Sequence, residues 1–281
     1  MFKKLSPYTI QKGFRYLKHY GPKEFWVRLH ERFEQEEIPY GPWYEESLPS
    51  GEELARQRER AARWDTLVSV VVPAYRTPGL FLRQMMDSMI QQTYPNWELC
   101  IANGSPEDQE MQEILREYAA KDSRIRYQNL RENLGIAQNT NAAFAMAKGE
   151  FIGLLDHDDL LAGDALYEIV KALKEHPQAD AVYTDEDKVT TDLQEHFQPH
   201  FKPDFNLDLL RSNNYICHFF TVRRSVVEKA GGFRKEFVGA QDYDFVFRCV
   251  ENSREVLHVP RILYHWRTHK ASTADNPASK M

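Results

Sequence analysis

Glu150-Phe151-Ile152-Gly153-Leu154-Leu155-Asp156-His157-Asp158-Asp159 is an apolar run that ends in three carboxylates. Its first six residues predict a short buried strand, and its acidic residues predict the turn that leaves it. Three carboxylates within four positions repel one another, and a cation can neutralise them. Carboxylate oxygens are hard ligands suited to Mg2+ or Mn2+, and Mg2+ is commonly held by one or two carboxylates plus substrate phosphates. An Asp-x-Asp at a strand end therefore suits a metal that bridges protein and diphosphate. The competing reading is a solvated acidic turn capping the next helix, because Asp is a good N-cap. The position of the motif at the end of a buried strand favours the metal.

The flanking segments supply that context. Upstream, Leu67-Val68-Ser69-Val70-Val71-Val72 is a β-branched run stopped by Pro73, the pattern of a buried strand. Then come helical spacing over 81–91, a strand over 97–102 ending in the turn Asn103-Gly104-Ser105-Pro106, a helix over 109–118, a strand over 125–128 and an Ala-rich helix over 136–147. Downstream lie a helix over 165–175 and a strand over 181–184. The alternation predicts an α/β fold: a Rossmann-like, mostly parallel sheet with helices on both faces. Ligands of such sheets bind beyond the carboxyl ends of the strands. Pro73-Ala74-Tyr75, Asn103-Gly104-Ser105 and Asp156 to Asp159 all fall there. Tyr183-Thr184-Asp185-Glu186-Asp187 reads as a second acidic turn at the same edge, ending the fifth strand.

Residues 1–65 differ. Aromatic and charged residues at helical spacing, interrupted at Tyr20-Gly21-Pro22 and Tyr40-Gly41-Pro42, predict a helical extension. Residues 1–32 carry eight Lys/Arg and two Glu. Such a segment either lies on an anionic membrane surface or packs on the larger domain or a second subunit. The break at Gly21-Pro22 favours packing. The net charge of −6 over 281 residues argues against a general nucleic-acid binder. No apolar run approaches the length needed to cross a bilayer. Cys100, Cys217 and Cys249 form no CxxC pair, so a reduced, cytoplasmic setting is expected. The first strand is followed by Pro73-Ala74-Tyr75, not by Gly-x-Gly-x-x-Gly, and no Walker lysine loop is present. Both facts count against a dinucleotide-dependent dehydrogenase or a nucleotidyltransferase on a similar sheet.

Five segments, in order, resemble the motifs of family 2 inverting glycosyltransferases with the GT-A fold, of the polysaccharide-biosynthesis type. They are Val70-Val71-Val72-Pro73-Ala74-Tyr75, Trp97-Glu98-Leu99-Cys100-Ile101-Ala102-Asn103-Gly104-Ser105, Asn133-Leu134-Gly135-Ile136-Ala137-Gln138-Asn139-Thr140-Asn141, Leu154-Leu155-Asp156-His157-Asp158-Asp159 and Gly239-Ala240-Gln241-Asp242-Tyr243-Asp244. The resemblance runs from Leu67 to about Thr268. It implies a catalytic domain over 66–281, with a nucleotide-binding half (66–160) and an acceptor half (161–281). It also implies Mn2+ or Mg2+, a nucleotide-sugar donor (UDP-sugar favoured, dTDP-sugar allowed) and a glycan or lipid-linked acceptor. A homodimer and peripheral contact with the inner face of the membrane are compatible with it.

Position by position, the resemblance puts Pro73, Ala74 and Tyr75 in the nucleotide pocket and Gly135 and Asn139 against the nucleotide and donor sugar. Asn103 stands where the family usually has an Asp on the base, and its carbonyl oxygen can accept from an imide N–H. Gln138 stands where Arg is frequent. Asp156 and Asp158 are the ends of the metal motif, with Asp158 the direct ligand. Asp185 is expected near the donor sugar. Asp242 matches the family's general base, which takes the proton of the acceptor hydroxyl, against the alternative of a plain N-cap. In Tyr264-His265-Trp266-Arg267-Thr268-His269, His265 is the expected third metal ligand or diphosphate contact, with His269 as alternative. Gln241 and His218 are the acceptor-side candidates, and His218 is equally readable as a core histidine. The departures at Asn103 and Gln138 leave one other reading, a catalytically inactive nucleotide-sugar-binding scaffold.

Overall fold

The computed structural model describes residues 39–269 continuously and, in helical conformation, residues 14, 16–18, 21–27 and 29. Most of the basic segment 1–32, including Tyr20 of the first expected break, lies outside the described residues. The chain divides into two compact units, Met1–Trp43 and Tyr44–Met281. Among the described residues no helix is long and apolar enough to cross a membrane.

The larger unit begins before residue 66. After helix α1 (Tyr40–Ser47), helix α2 (Gly51–Ala61) is capped by the Ser50 hydroxyl, which accepts from the Glu53 N–H. Ala61 and Gln57 of α2 are buried, and Gln57 accepts a hydrogen bond from Thr93 at 2.9 Å. Trp64 stacks on Tyr167 with ring centroids 5.2 Å apart. Residues 44–65 thus belong with the sheet, contrary to the expected boundary at 65. Tyr40-Gly41-Pro42 is not a break either. It opens α1, because proline is tolerated in a first helical turn, where its missing N–H has no partner to lose.

The nucleotide-binding half follows its predicted pattern. Strands β1 (Val68–Ala74), β2 (Trp97–Asn103), β3 (Ile125–Asn129) and β4 (Phe151–Leu154) are parallel in the order β3-β2-β1-β4. They alternate with α3 (Gly79–Ile90), α4 (Gln109–Lys121) and α5 (Ile136–Met146), and α6 (Ala165–Glu175) follows. β1 and β2 are buried along their whole length because both faces are covered. Val68, Val70 and Val72 pack with Met85 and Met86 of α3 and Ile114 and Leu115 of α4. Val71, on the opposite face, packs in a second core with Ala137 and Ala143 of α5. Each such aliphatic side chain contributes roughly 1.5–3 kcal/mol by leaving water.

Beyond β4 the sheet departs from the simple alternation. β5 (Leu160–Leu161), β6 (Ala181–Thr190), β7 (His196–His200), β8 (Phe220–Arg223) and β9 (Val256–Thr268) complete the order β3-β2-β1-β4-β8-β6-β9-β5, with β7 on β6. Antiparallel β8 is inserted between β4 and β6, while β6 and β9 are parallel. The fifth predicted strand does not end in an acidic turn at Thr184. It continues to Thr190, with Asp185, Glu186 and Asp187 all buried in it. They stay in the strand because each carboxylate meets donors from neighbouring segments, as set out below. Of the remaining helices, α7 (Leu207–Ser212) and α8 (Arg224–Ala230) flank β8, and α9 (Gln241–Glu251) precedes β9.

Gly153 in β4 shows how tightly β8 is seated. A Cβ there would come within 2.4 Å of Phe219 Cζ and 3.2 Å of Thr221 Oγ1. Gly153→Ala is expected to cost about 1–3 kcal/mol by overpacking. Chemical denaturation would measure it, and an unchanged midpoint would contradict this packing.

Candidate functional site

The turn after β4 sorts its three carboxylates into different environments. Asp159 points inward. One oxygen accepts from the Tyr264 hydroxyl at 2.6 Å and the other from the Arg267 backbone N–H at 2.8 Å. Burial, with the charges of Asp158 and Asp156 beside it, holds its carboxyl well above the usual carboxylate range. Asp158 is half-buried, and its Oδ2 lies 2.7 Å from His269 Nε2. Burial opposes its charge, but the His269 hydrogen bond and the neighbouring His157 outweigh it and lower its pKa. Asp156 is the open member, with 48% of its side-chain surface exposed. Arg267, fully buried, braces the turn: its Nε donates to the Asp158 carbonyl at 2.6 Å, Nη1 donates to Gln84, and its guanidinium lies over the Phe81 ring.

A charged layer lies behind Asp156. His218 stacks on Tyr264 at 4.5 Å and brings its Nε2 to 3.8 Å from Asp156 Oδ2. Its Nδ1 and its backbone N–H both reach Glu186 Oε2, at 3.2 and 2.9 Å. Burial disfavours an imidazolium here, but Glu186, Asp156 and Asp159 more than offset it, and the His218 pKa is raised to about 9. Its acidic neighbours therefore favour the imidazolium over the neutral ring. Lys202, itself buried, donates from Nζ to Glu186 Oε2 at 3.2 Å and to the carbonyls of Ile216 and His218. His218 thus spans the open Asp156 on one side and the buried Glu186 on the other.

The ends of β1 and β2 form a second group. The Gly104 N–H donates to the Ala74 carbonyl at 2.8 Å, and the Arg76 N–H donates to Ser105 Oγ at 2.8 Å. Pro73 and Ala74 are buried and Tyr75 is half-buried, with Arg76 over its ring. Asn103 is fully buried. Its Oδ1 accepts from the Ser105 N–H and its Nδ2 donates to Asn129 Oδ1, both at 2.9 Å. In this geometry Asn103 shapes the turn and presents no surface to a base, a difference from its expected contact role. Asn139 is also buried, donating to Asn133 at 2.9 Å and accepting from the Leu134 N–H at 3.2 Å. It cradles the loop at exposed Gly135, whose φ of 81° only glycine adopts readily.

Two expected residues lie elsewhere. Asp185 is buried, its Oδ1 held by the Lys202 N–H and by His258 Nε2, both at 2.8 Å, so its carboxylate serves the sheet. His265 does not reach the Asp-x-Asp turn. Its Nδ1 is 2.6 Å from Asp187 Oδ1 and its Nε2 is 3.2 Å from the Tyr44 hydroxyl. His269, the alternative, is the histidine that meets Asp158. Strand pairing explains the exchange: His265 is inside β9, opposite Asp187, whereas His269 follows the strand's last residue.

Asp242 lies in the first turn of α9, but the N-cap is Ala240. Asp242 is therefore not the N-cap; it is exposed and accepts from Gln241 Nε2 at 3.1 Å. The Gln241 Oε1 accepts from the Gly239 N–H at 2.6 Å, so Gln241 is bound up with its own loop. Asp244, two residues on, is held by Arg234 and Arg248, and Arg248 also donates to the carbonyls of Gly231 and Gly232. The helix is thus fixed to the Gly231-Gly232 turn that ends α8. Lys202, Tyr264 and the inward role of Glu186 had no readable signal, because their partners are distant in the chain.

Residues 69–231 match the model of glycosyl transferase family 2. Protein y4gI of Sinorhizobium fredii, uncharacterised, is 43% identical over 219 residues, covering 76% of this chain and 24% of its own length. The O-antigen biosynthesis protein RfbC of Myxococcus xanthus is 35% identical over 240 residues, covering 85% of this chain and 19% of its own. The chain thus spans about a quarter and a fifth of the length of these relatives. Among solved structures, S. aureus TarS 1-349 in complex with UDP-GlcNAc superposes with a TM-score of 0.61 at 21% identity, over 72% of this chain and 58% of that one. The mannosyltransferase PcManGT from Pyrobaculum calidifontis, in complex with GDP-Man and Mn2+, gives 0.54 at 18% identity, over 75% and 62%. The shared architecture is the GT-A fold.

Proposed function

Because the chain belongs to glycosyl transferase family 2, we propose that it moves a sugar from a nucleoside diphosphate sugar to a hydroxyl of a glycan or lipid-linked acceptor, with inversion at the anomeric carbon. The observation that carries this reading is the division of labour in the turn after β4: Asp159 is consumed by the fold, while Asp158, paired with His269, and the open Asp156 are left for a ligand. Carboxylate and imidazole together suit Mn2+ and tolerate Mg2+. Asp158 and His269, with Asp156 beside them, would hold that ion. When bound, it neutralises charge on the diphosphate leaving group. The remaining chemistry falls to the chain's own residues. Asp242 takes the proton of the acceptor hydroxyl as that oxygen bonds to the anomeric carbon, and the bond to the diphosphate oxygen breaks with its electron pair leaving on the diphosphate. The His218 cation, held by Glu186 and Lys202, adds positive charge next to Asp156.

A uridine nucleotide is the favoured donor, supported by the UDP and UDP-GlcNAc complexes of the TarS neighbour. The name of RfbC supports a polysaccharide product. A cytoplasmic setting fits the free cysteines. Nucleotide release from a panel of UDP-, dTDP- and GDP-sugars with Mn2+ tests the proposal. Release from at least one donor, abolished by chelation, is expected. Tight donor binding with no turnover on any acceptor would overturn transfer in favour of a binding scaffold.

A further inference from the structure

Strands β7, β6 and β9 bring three other ligand-type side chains together on one face. Asp187 of β6 lies opposite His265 of β9 in the strand register, and His196 of β7 is paired with Val189, the next residue on that face. Asp187 Oδ1 is 2.6 Å from His265 Nδ1, and Asp187 Oδ2 is 2.8 Å from His196 Nδ1. One ligand atom from each residue lies within 4.8 Å of the others. The Asp187 and His265 side chains are buried, and His196 keeps 23% of its side-chain surface exposed.

We propose that Asp187, His196 and His265 form a second metal site, for a transition ion of the zinc type, separate from the nucleotide-linked cation at Asp158. Two imidazole nitrogens and one carboxylate oxygen form a donor set for Zn2+ or Co2+, softer than the oxygen-rich sets that hold Mg2+. A tetrahedral ion with bonds of about 2.1 Å spaces its donors about 3.4 Å apart. The observed carboxylate–imidazole spacings are shorter than that, and the outer limit of 4.8 Å is longer, so small side-chain rotations accommodate the ion. The outer ring nitrogen of His265 is already oriented. Its Nε2 meets the Tyr44 hydroxyl at 3.2 Å, the outer-shell contact that fixes a ligating histidine with its other nitrogen towards the metal. Tyr44 also packs its ring on His196 at 4.3 Å. Three protein ligands leave one position for water, reached from the exposed side of His196.

The consequence is structural. The ion ties the β6–β7 hairpin to β9. Lys202, which holds Glu186 and the His218 carbonyl, lies two residues past the end of β7. Metal at this site therefore stiffens the segment that carries the charged layer behind Asp156.

The test is direct. Chelator-stripped protein is titrated with Co2+ in the absence of nucleotide, with calorimetry and the visible absorption of tetrahedral Co2+ as readouts. One equivalent with a tetrahedral spectrum is expected in the wild type and in Asp158→Ala, together with a Zn2+-dependent rise in Tm in both. His196→Gln, chosen because that residue is the most exposed of the three, is expected to lose spectrum, stoichiometry and Tm shift while keeping its far-UV circular dichroism. No stoichiometric Co2+ or Zn2+ in the folded wild type would overturn the proposal. So would undiminished binding in His196→Gln, or binding that disappears in Asp158→Ala or that requires nucleotide.

Discussion

Asp242→Asn is expected to lower kcat by about 10² to 10⁴, the range over which a positioned general base contributes to a transfer step. Donor affinity should change less than twofold. Asp242 is exposed in the first turn of α9, and the turn around it is secured by other groups: Asp244 is held by Arg234 and Arg248, and the Gly239 N–H by Gln241 Oε1. The substitution keeps the shape of the side chain but removes its charge and basicity and turns one acceptor oxygen into an NH2 donor. The loss should therefore appear in kcat with unchanged Tm and unchanged donor Kd. If Asp242→Asn retained more than a tenth of wild-type kcat with a confirmed donor, another group would have to be the base. A fall in kcat that tracked a fall in Tm would instead mark Asp242 as a helix-end residue.

The helix-start position of this residue is local information, and local information was legible. The β-branched run 67–72 gave β1 because a strand buried on both faces needs no polar alternation. The helix expected over 165–175 is found at Ala165–Glu175. What could not be read is what distant segments supply. β8 has four residues, too few for a periodic signal, and it enters the sheet only because β4 and β6 leave it a place. Asp185 to Asp187 resemble a solvated turn until His258, Lys202 and His265 arrive from residues far along the chain. The same holds within the site. The sequence puts three carboxylates after β4 but cannot rank them, since their ranking depends on Tyr264 and Arg267, more than a hundred residues away. His265 and His269 are equivalent in sequence, and strand register separates them.

That ranking leads to the second large effect. Asp158→Ala is expected to reduce metal-dependent turnover by about 10³-fold, comparable to removing a main electrostatic contact to a developing oxyanion. Mn2+ affinity in the presence of UDP should fall with it, whereas Tm should move little, because the side chain of Asp158 is half-buried and its hydrogen bond is to His269, just past the end of β9. Asp159→Asn is the counterpart from the same turn. Its side chain accepts from Tyr264 and from the Arg267 N–H inside the fold, so its loss should lower Tm first. His269→Ala belongs with Asp158 and should likewise weaken Mn2+ binding, because it removes the imidazole that would hold the ion beside that carboxylate. The measurement is Mn2+ titration by electron paramagnetic resonance, set beside thermal melts of all three variants. Were Asp159→Asn to abolish Mn2+ binding at full stability while Asp158→Ala bound Mn2+ normally, the inward and outward roles assigned to these two carboxylates would be reversed.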